Sequence, residues 1–153
     1  MKDSQPSFLL VDGNNIIHAW ADLLELHQRK KGLAHQALIR HLKEYGDFTG
    51  DRVVVVFDGR GRTVTDEREP GGLQIFYTSS SLTADDVIER LALKYGKTYQ
   101  ITVATNDIPE QDLVVSAGGV AISAERLREL VEKARSQMTD WLEKRRKRQD
   151  DTR

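Results

Sequence analysis

Three times along this chain an apolar run stops on an aspartate. The runs are Phe8-Leu9-Leu10-Val11-Asp12, Val53-Val54-Val55-Val56-Phe57-Asp58 and Ile101-Thr102-Val103-Ala104-Thr105-Asn106-Asp107. A strand that is apolar at consecutive positions has both faces covered, the condition of a parallel sheet lying between layers of helices. Parallel strands bring their carboxyl ends to one edge, and ligands of such sheets bind in the crevice outside those ends. The repeat therefore predicts an α/β fold and, with it, an acidic site at that edge.

The segments between the runs fit this frame. Helical spacing of apolar residues predicts helices over 15–28, over 34–45 with Gly46 as a stop, and over 84–95 closed by Gly96. A last helix begins at Ala124 behind a Ser123 cap and carries Leu127, Leu130, Val131, Ala134, Met138 and Leu142 as an apolar stripe. Further strands are expected over 73–78 and 120–122, a short helix or turn over 113–116, and a long polar loop from Gly59 to Gly72. Trp20 and Trp141 are expected in the core, and His18, His27, His35 and His41 as packed or surface residues. Strands alternating with helices predict a mostly parallel central sheet. One domain over residues 1–143 and a basic tail over 144–153 account for the whole chain.

Composition narrows the class. With 153 residues the chain has room for one sizeable core, and with no cysteine it has neither disulfides nor thiolate metal sites. The polar start and the lack of a long apolar segment predict a soluble cytoplasmic protein with no membrane partner. The net charge of -1 hides an asymmetry: residues 1–123 hold 13 cationic and 17 anionic side chains, residues 124–153 hold 10 and 7. Lys144-Arg145-Arg146-Lys147-Arg148 is a block of consecutive cations that suits phosphate backbones, or equally a solvated helix end near the negative pole of the macrodipole.

The acids carry the chemistry. Asp12 offers a hard oxygen to a divalent cation, Gly13 permits an abrupt turn, and Asn14 and Asn15 can orient water or phosphate, or else form Asx turns. In Thr83-Ala84-Asp85-Asp86 the spacing of Thr83 and Asp86 is that of a capping box. A cap needs one acid, and the second is available to a Mg²⁺ or Mn²⁺ that keeps several waters. Arg60, Arg62 and Arg68 could meet phosphates in the long loop, although Asp66, Glu67 and Glu69 offset them. There is no phosphate-binding Gly-x-x-x-x-Gly-Lys-Ser/Thr loop and no Gly-x-Gly-x-x-Gly, which argues against a nucleotide cofactor. A phosphoaspartyl phosphatase needs an acid two residues after its nucleophile, where this chain has Asn14.

The order of these motifs resembles the NYN domain ribonucleases of the PIN-like superfamily, most closely their bacterial YacP-like branch. The resemblance is carried by LLVDGNNIIHAW at 9–20, VVVVFDG at 53–59, TADDVIERLA at 83–92, TVATNDIPEQ at 102–111 and GGVAISAERL at 118–127. It implies a three-layer α/β/α fold and a metal-dependent endoribonuclease acting on single-stranded RNA. Asp12, Asp85, Asp86 and Asp107 fall on the family's acidic positions, as catalytic residues and ligands of Mg²⁺ or Mn²⁺. Asn14, Asn15, Asp58 and Asn106 would support substrate binding, together with Lys144, Arg145 and Arg146 of the tail. The family more often has Ser where Asn106 stands, and Asn keeps a hydrogen-bonding group there. YacP-like proteins include members that cleave messenger RNA on the ribosome, which adds the ribosome as a partner. A catalytically silent RNA- or ribosome-binding module is the alternative, and the oligomeric state is left open.

Overall fold

The computed structural model describes residues 7–61, 65–68, 72–79 and 81–151. The elements run β1 (Ser7–Asp12), α1 (Gly13–Ala19), α2 (Ala21–Arg29), α3 (Lys31–Thr49), β2 (Arg52–Gly61), β3 (Thr65–Arg68), β4 (Gln74–Ser79), α4 (Ala84–Tyr95), β5 (Gln100–Ala104), α5 (Ile108–Ser116), β6 (Val120–Ile122) and α6 (Ala124–Asp151). The sheet order is β3-β4-β2-β1-β5-β6. Five strands are parallel, and β3 alone runs antiparallel, against β4. This is the three-layer α/β architecture that the apolar runs predict.

The unbroken runs are explained by which side of the sheet each residue meets. Leu9, Val11, Val53, Val55 and Phe57 are buried among residues of α1, α2, α3 and α6. Leu10, Val54, Val56, Ile101 and Val103 are buried among residues of α4 and α5. Each such side chain gains about 1.5–3 kcal/mol on leaving water. Because both faces are apolar, a one-residue slip would exchange them without exposing either, so the pattern alone does not set register. Observed register puts Asp12 opposite Val56 and Val11 opposite Ala104, so β1 and β5 finish nearly level while β2 runs on, with Asp58 two residues past that level. From β1 the chain crosses to β2 on one side, and from β5 it crosses to β6 on the other. The crevice between β1 and β5 is thus the topological switch point.

Several local expectations are corrected. The helix expected over 15–28 is two, broken at Trp20, whose backbone is extended. That ring is 5 % exposed and its Nε1 donates to the Ala124 carbonyl at 2.9 Å, so a contact across the fold wins over local helix propensity. Helix α3 passes through Gly46 and ends at Gly50, which takes φ +80°. A Cβ on Gly46 would lie 3.3 Å from Asp51 O and Val53 Cγ2, so this glycine serves close packing of helix on strand. The expected polar loop is partly sheet, with β2 running on to Gly61 and β3 pairing with β4. The short segment at 113–116 belongs to α5. Trp141 and Leu142 are not core: they are 53 % and 48 % exposed, because α6 outruns the body it packs on. Arg62 and the side chains of Arg60 and Arg68 lie outside the described residues. No helix among the described residues is long and apolar enough to cross a membrane.

Candidate active site

A cleft of about 290 Å³ opens at the carboxyl edge, lined by Asp12, Asn14, Asn15, His18, Asp58, Ala84, Asp85 and Asp107. Five elements supply it, and short polar brackets hold them together. Asn14 Oδ1 accepts from the Asp58 amide at 3.1 Å, fastening β2 to α1 just past its apolar run. Asn15 Oδ1 accepts from the Asn106 amide at 2.8 Å, fastening the end of β5 to the same helix. Asn106 passes the link on, its Oδ1 accepting from the Ala124 amide that opens α6 at 2.8 Å. Asp58 Oδ1 accepts from the Ala84 amide at 2.7 Å, tying β2 to the start of α4. These bonds sit where the apolar faces cannot set register. Gly13 does not take a left-handed turn. It lets α1 approach Phe57, whose ring carbons would stand 2.4 Å from a Cβ there.

The adjacent acids at the start of α4 part company. Asp86 completes a capping box, with its amide donating to Thr83 Oγ1 and its Oδ2 accepting from the Thr83 amide at 3.1 Å. Hydrogen bonding to Thr83 lowers its pKa from the ordinary carboxylate value. Asp85 lines the cleft and accepts from the Thr83 hydroxyl. Asp107 caps α5, its Oδ1 accepting from the Glu110 amide at 3.1 Å. Each of Asp58, Asp85 and Asp107 uses one carboxylate oxygen in these bonds, and each lines the cleft. His18 is exposed at the rim, with its Nδ1 2.8 Å from the Asn14 carbonyl and its ring edge-on to His27.

Behind the cleft lies a residue that the sequence does not announce. Glu110 is fully buried, one of five buried polar or charged side chains among the described residues, and it abuts Asp12. Thr105 Oγ1 donates to its Oε2 at 2.9 Å, while Oε1 meets no donor. Burial, reinforced by the neighbouring Asp12 charge, pushes the Glu110 carboxyl up to about 9. Burial likewise raises Asp12 to about 6; contact with Glu110 and the Asn15 amide oppose the rise, and the charges of Asp58 and Asp85 add to it. Two abutting buried carboxyls are stable with one proton shared between them. Its position four residues into the Asp107-Ile108-Pro109-Glu110 turn reads in sequence as an ordinary acid in a first helical turn. Only its fully buried neighbours in space reveal it.

Apart from the His18 ring at the rim, the donors that line the cleft are oxygens of carboxylates and carboxamides, which suit a hard divalent cation better than a soft one. Among the described residues no three His, Asp or Glu groups form a preformed cage. Mg²⁺ does not require one, since it keeps several waters and takes one or two carboxylates directly. The residues present therefore fit a hydrated ion seated among Asp12, Asp85 and Asp107. Lys144, Arg145 and Arg146 are not part of this cleft. They lie on the exposed last turns of α6, which stays helical to Asp151.

A family model for the YacP-like NYN domain matches residues 9–153. The uncharacterized protein YacP of Bacillus subtilis is 38 % identical over 130 residues, covering 81 % of this chain and 74 % of that protein. The crystal structure of Rae1 (YacP) from Bacillus subtilis matches 94 % of this chain and 83 % of its own, at 33 % identity and a TM-score of 0.78. A point mutant of the same protein matches 90 % and 81 %, at 34 % identity and a TM-score of 0.76.

Proposed function

The chain belongs to the YacP-like NYN domain family, and from that premise we propose that it is a divalent-metal-dependent endoribonuclease that cleaves single-stranded RNA in the cytoplasm. NYN domains are nuclease-like, and as nucleases they generally use divalent metals. The observation that carries the reading is the meeting of Asp12, Asp58, Asp85 and Asp107 in one cleft at the switch point of the sheet. Messenger RNA on the ribosome is the setting that the family resemblance adds.

In this reading Asp12, Asp85 and Asp107 hold Mg²⁺ or Mn²⁺ through their carboxylates. A bound ion supplies charge against the scissile phosphate and acidity to a coordinated water. Glu110 holds the Asp12 carboxyl from behind, Asn14 and Asn15 keep the two strand ends in register, and Asp58 and Asn106 fasten α4 and α6 beside them. Asp86 serves the helix start and not the ion. No nucleophilic side chain is needed, because water attacks. Residues 1–143 form the nuclease body and 144–153 a tail whose Lys144, Arg145 and Arg146 hold phosphates.

That no preformed three-carboxylate cage stands among the described residues is the observation that favours the alternative, a silent module that binds RNA or ribosome. Incubating the protein with a long RNA in Mn²⁺, beside EDTA and Asp107→Asn controls, separates the two. The nuclease cleaves, and both controls stop it. Cleavage surviving both controls rejects the metal mechanism, and binding without cleavage of any RNA, ribosome-bound included, establishes the module.

A further inference from the structure

The stripe that seats α6 on the body recurs at Leu127, Val131, Ala134 and Met138, spaced alternately by four and three. The same spacing continued reaches Trp141, Arg145 and Arg148. Leu127, Val131 and Ala134 are buried and Met138 half-buried, and from Thr139 to Asp151 every residue is exposed. The helix leaves the body with its packing face uncovered, and that face then carries an indole among cations. Trp141 is 53 % exposed, and the Arg145 guanidinium lies 5.4 Å from the centre of its ring. Together with Lys144 and Arg148 they line a cleft of about 300 Å³. None of these three cations takes part in an ion pair among the described residues.

The chemistry of the face selects its occupant. A helical partner or a second copy would need apolar residues at these seam positions, where Arg145 and Arg148 instead set like charges against each other. A lipid surface would need a broad apolar face, and between 139 and 151 only Trp141 and Leu142 are apolar. A planar ring flanked by unpaired cations matches a strand that offers bases and phosphates in alternation.

We propose that Trp141 is a base-stacking platform, and that with Lys144, Arg145 and Arg148 it forms a second contact site for single-stranded RNA, away from the acidic cleft. The proposal rests on the RNA reading above and adds reach to it. Ala124 is bonded to Asn106 at the end of β5, beside the cleft, and Trp141 stands roughly 26 Å further along the helix at about 1.5 Å per residue. At about 3.4 Å per nucleotide of a stacked strand, that distance is roughly eight nucleotides.

Tryptophan emission tests this directly, since Trp20 is buried and Trp141 is not. In EDTA, an oligouridylate of about twelve nucleotides should quench emission, and one of about four should bind without needing the platform. Trp141→Ala should weaken binding of the longer strand about tenfold and leave the salt slope unchanged, with Trp141→Phe recovering most of the loss. Lys144→Ala and Arg148→Ala should each flatten the slope by about 0.7. Equal quenching by heparin, which has no bases, overturns the platform, as does quenching by anionic lipid vesicles and not by RNA. Unchanged affinity of Trp141→Ala in a protein that still cleaves RNA overturns the platform and leaves the nuclease standing. Wild-type protein that neither binds nor cleaves RNA overturns both.

Discussion

At the carboxyl edge of the sheet nearly every polar group that shapes the cleft is engaged by a neighbour. Asn14 holds Asp58, Asn15 holds Asn106, Asp107 caps α5 and Glu110 braces Asp12. At the far end of α6, Lys144, Arg145 and Arg148 form no ion pair among the described residues, and Arg145 lies over the Trp141 ring. The first region has a fixed geometry, which the proposed chemistry needs because charge must meet the reacting atoms in place. The second has long exposed side chains, which in the proposed reading adapt to a strand and bring affinity without alignment. One helix joins the two regions, its first amide bonded to Asn106 and its last turns free of the body.

Breaking the fixed region should cost activity and spare binding. Asp107→Asn keeps a cap of equal quality, so the fold should hold while the carboxylate is lost. Cleavage of a long RNA should fall by about a hundredfold or more, with binding in a gel-shift assay unchanged or tighter as a negative charge leaves the cleft. Weakened binding together with intact cleavage would invert the comparison.

Breaking the adaptable region should do the opposite. Deleting residues 144–153 should leave thermal unfolding within about 0.5 kcal/mol, since residues 144–151 are all exposed. RNA affinity should drop, and its salt slope should flatten by about 0.7 for each phosphate contact removed. A truncated protein with an unchanged slope returns this segment to a solvated helix end.

The brace behind the cleft is sharpened by pH. A carboxyl raised in the folded state favours folding while protonated, so its contribution is full at low pH and is lost as pH rises through the raised value. For Glu110 the window runs from an ordinary 4.5 to about 9, and for Asp12 from 3.8 to about 6. Metal-free protein should therefore lose melting temperature steadily from about pH 4.5 to pH 9. Glu110→Gln should flatten that decline and melt above the wild type at pH 8, because an amide can donate to Asp12 without titrating. Parallel melting curves for the two proteins across this range would mean that Glu110 holds no proton there.

The smallest effect separates two adjacent acids. Asp86→Asn should cost about 0.5–1 kcal/mol of stability through the capping box and change cleavage by a few-fold at most. Asp85→Asn should abolish most cleavage at little cost in stability. Equal effects of both substitutions on stability alone would reduce the segment to a cap.

The strands and their acidic ends were legible because burial on both faces leaves an unmistakable apolar run and because parallel topology gathers its carboxyl ends. The break at Trp20 was not legible, since neither glycine nor proline marks it and its cause is a bond to Ala124, distant in sequence. Glu110 was missed for the same reason: capping-box spacing explains it locally, and only β1 laid beside β5 puts Asp12 against it. Trp141 was misread because helical periodicity continues past the point where there is anything left to pack on. The stop at Gly46 was wrong because a glycine that admits a neighbouring strand and a glycine that ends a helix look alike in sequence.

The proposed reaction depends on a divalent ion seated among Asp12, Asp85 and Asp107. Anomalous scattering at the manganese edge from crystals soaked in Mn²⁺ tests it most directly. One dominant peak is expected in the cleft, with oxygens of at least two of these carboxylates at about 2.0–2.6 Å, and its loss in Asp107→Asn. An empty cleft at saturating Mn²⁺, in a protein that cleaves RNA in the same buffer, would contradict it.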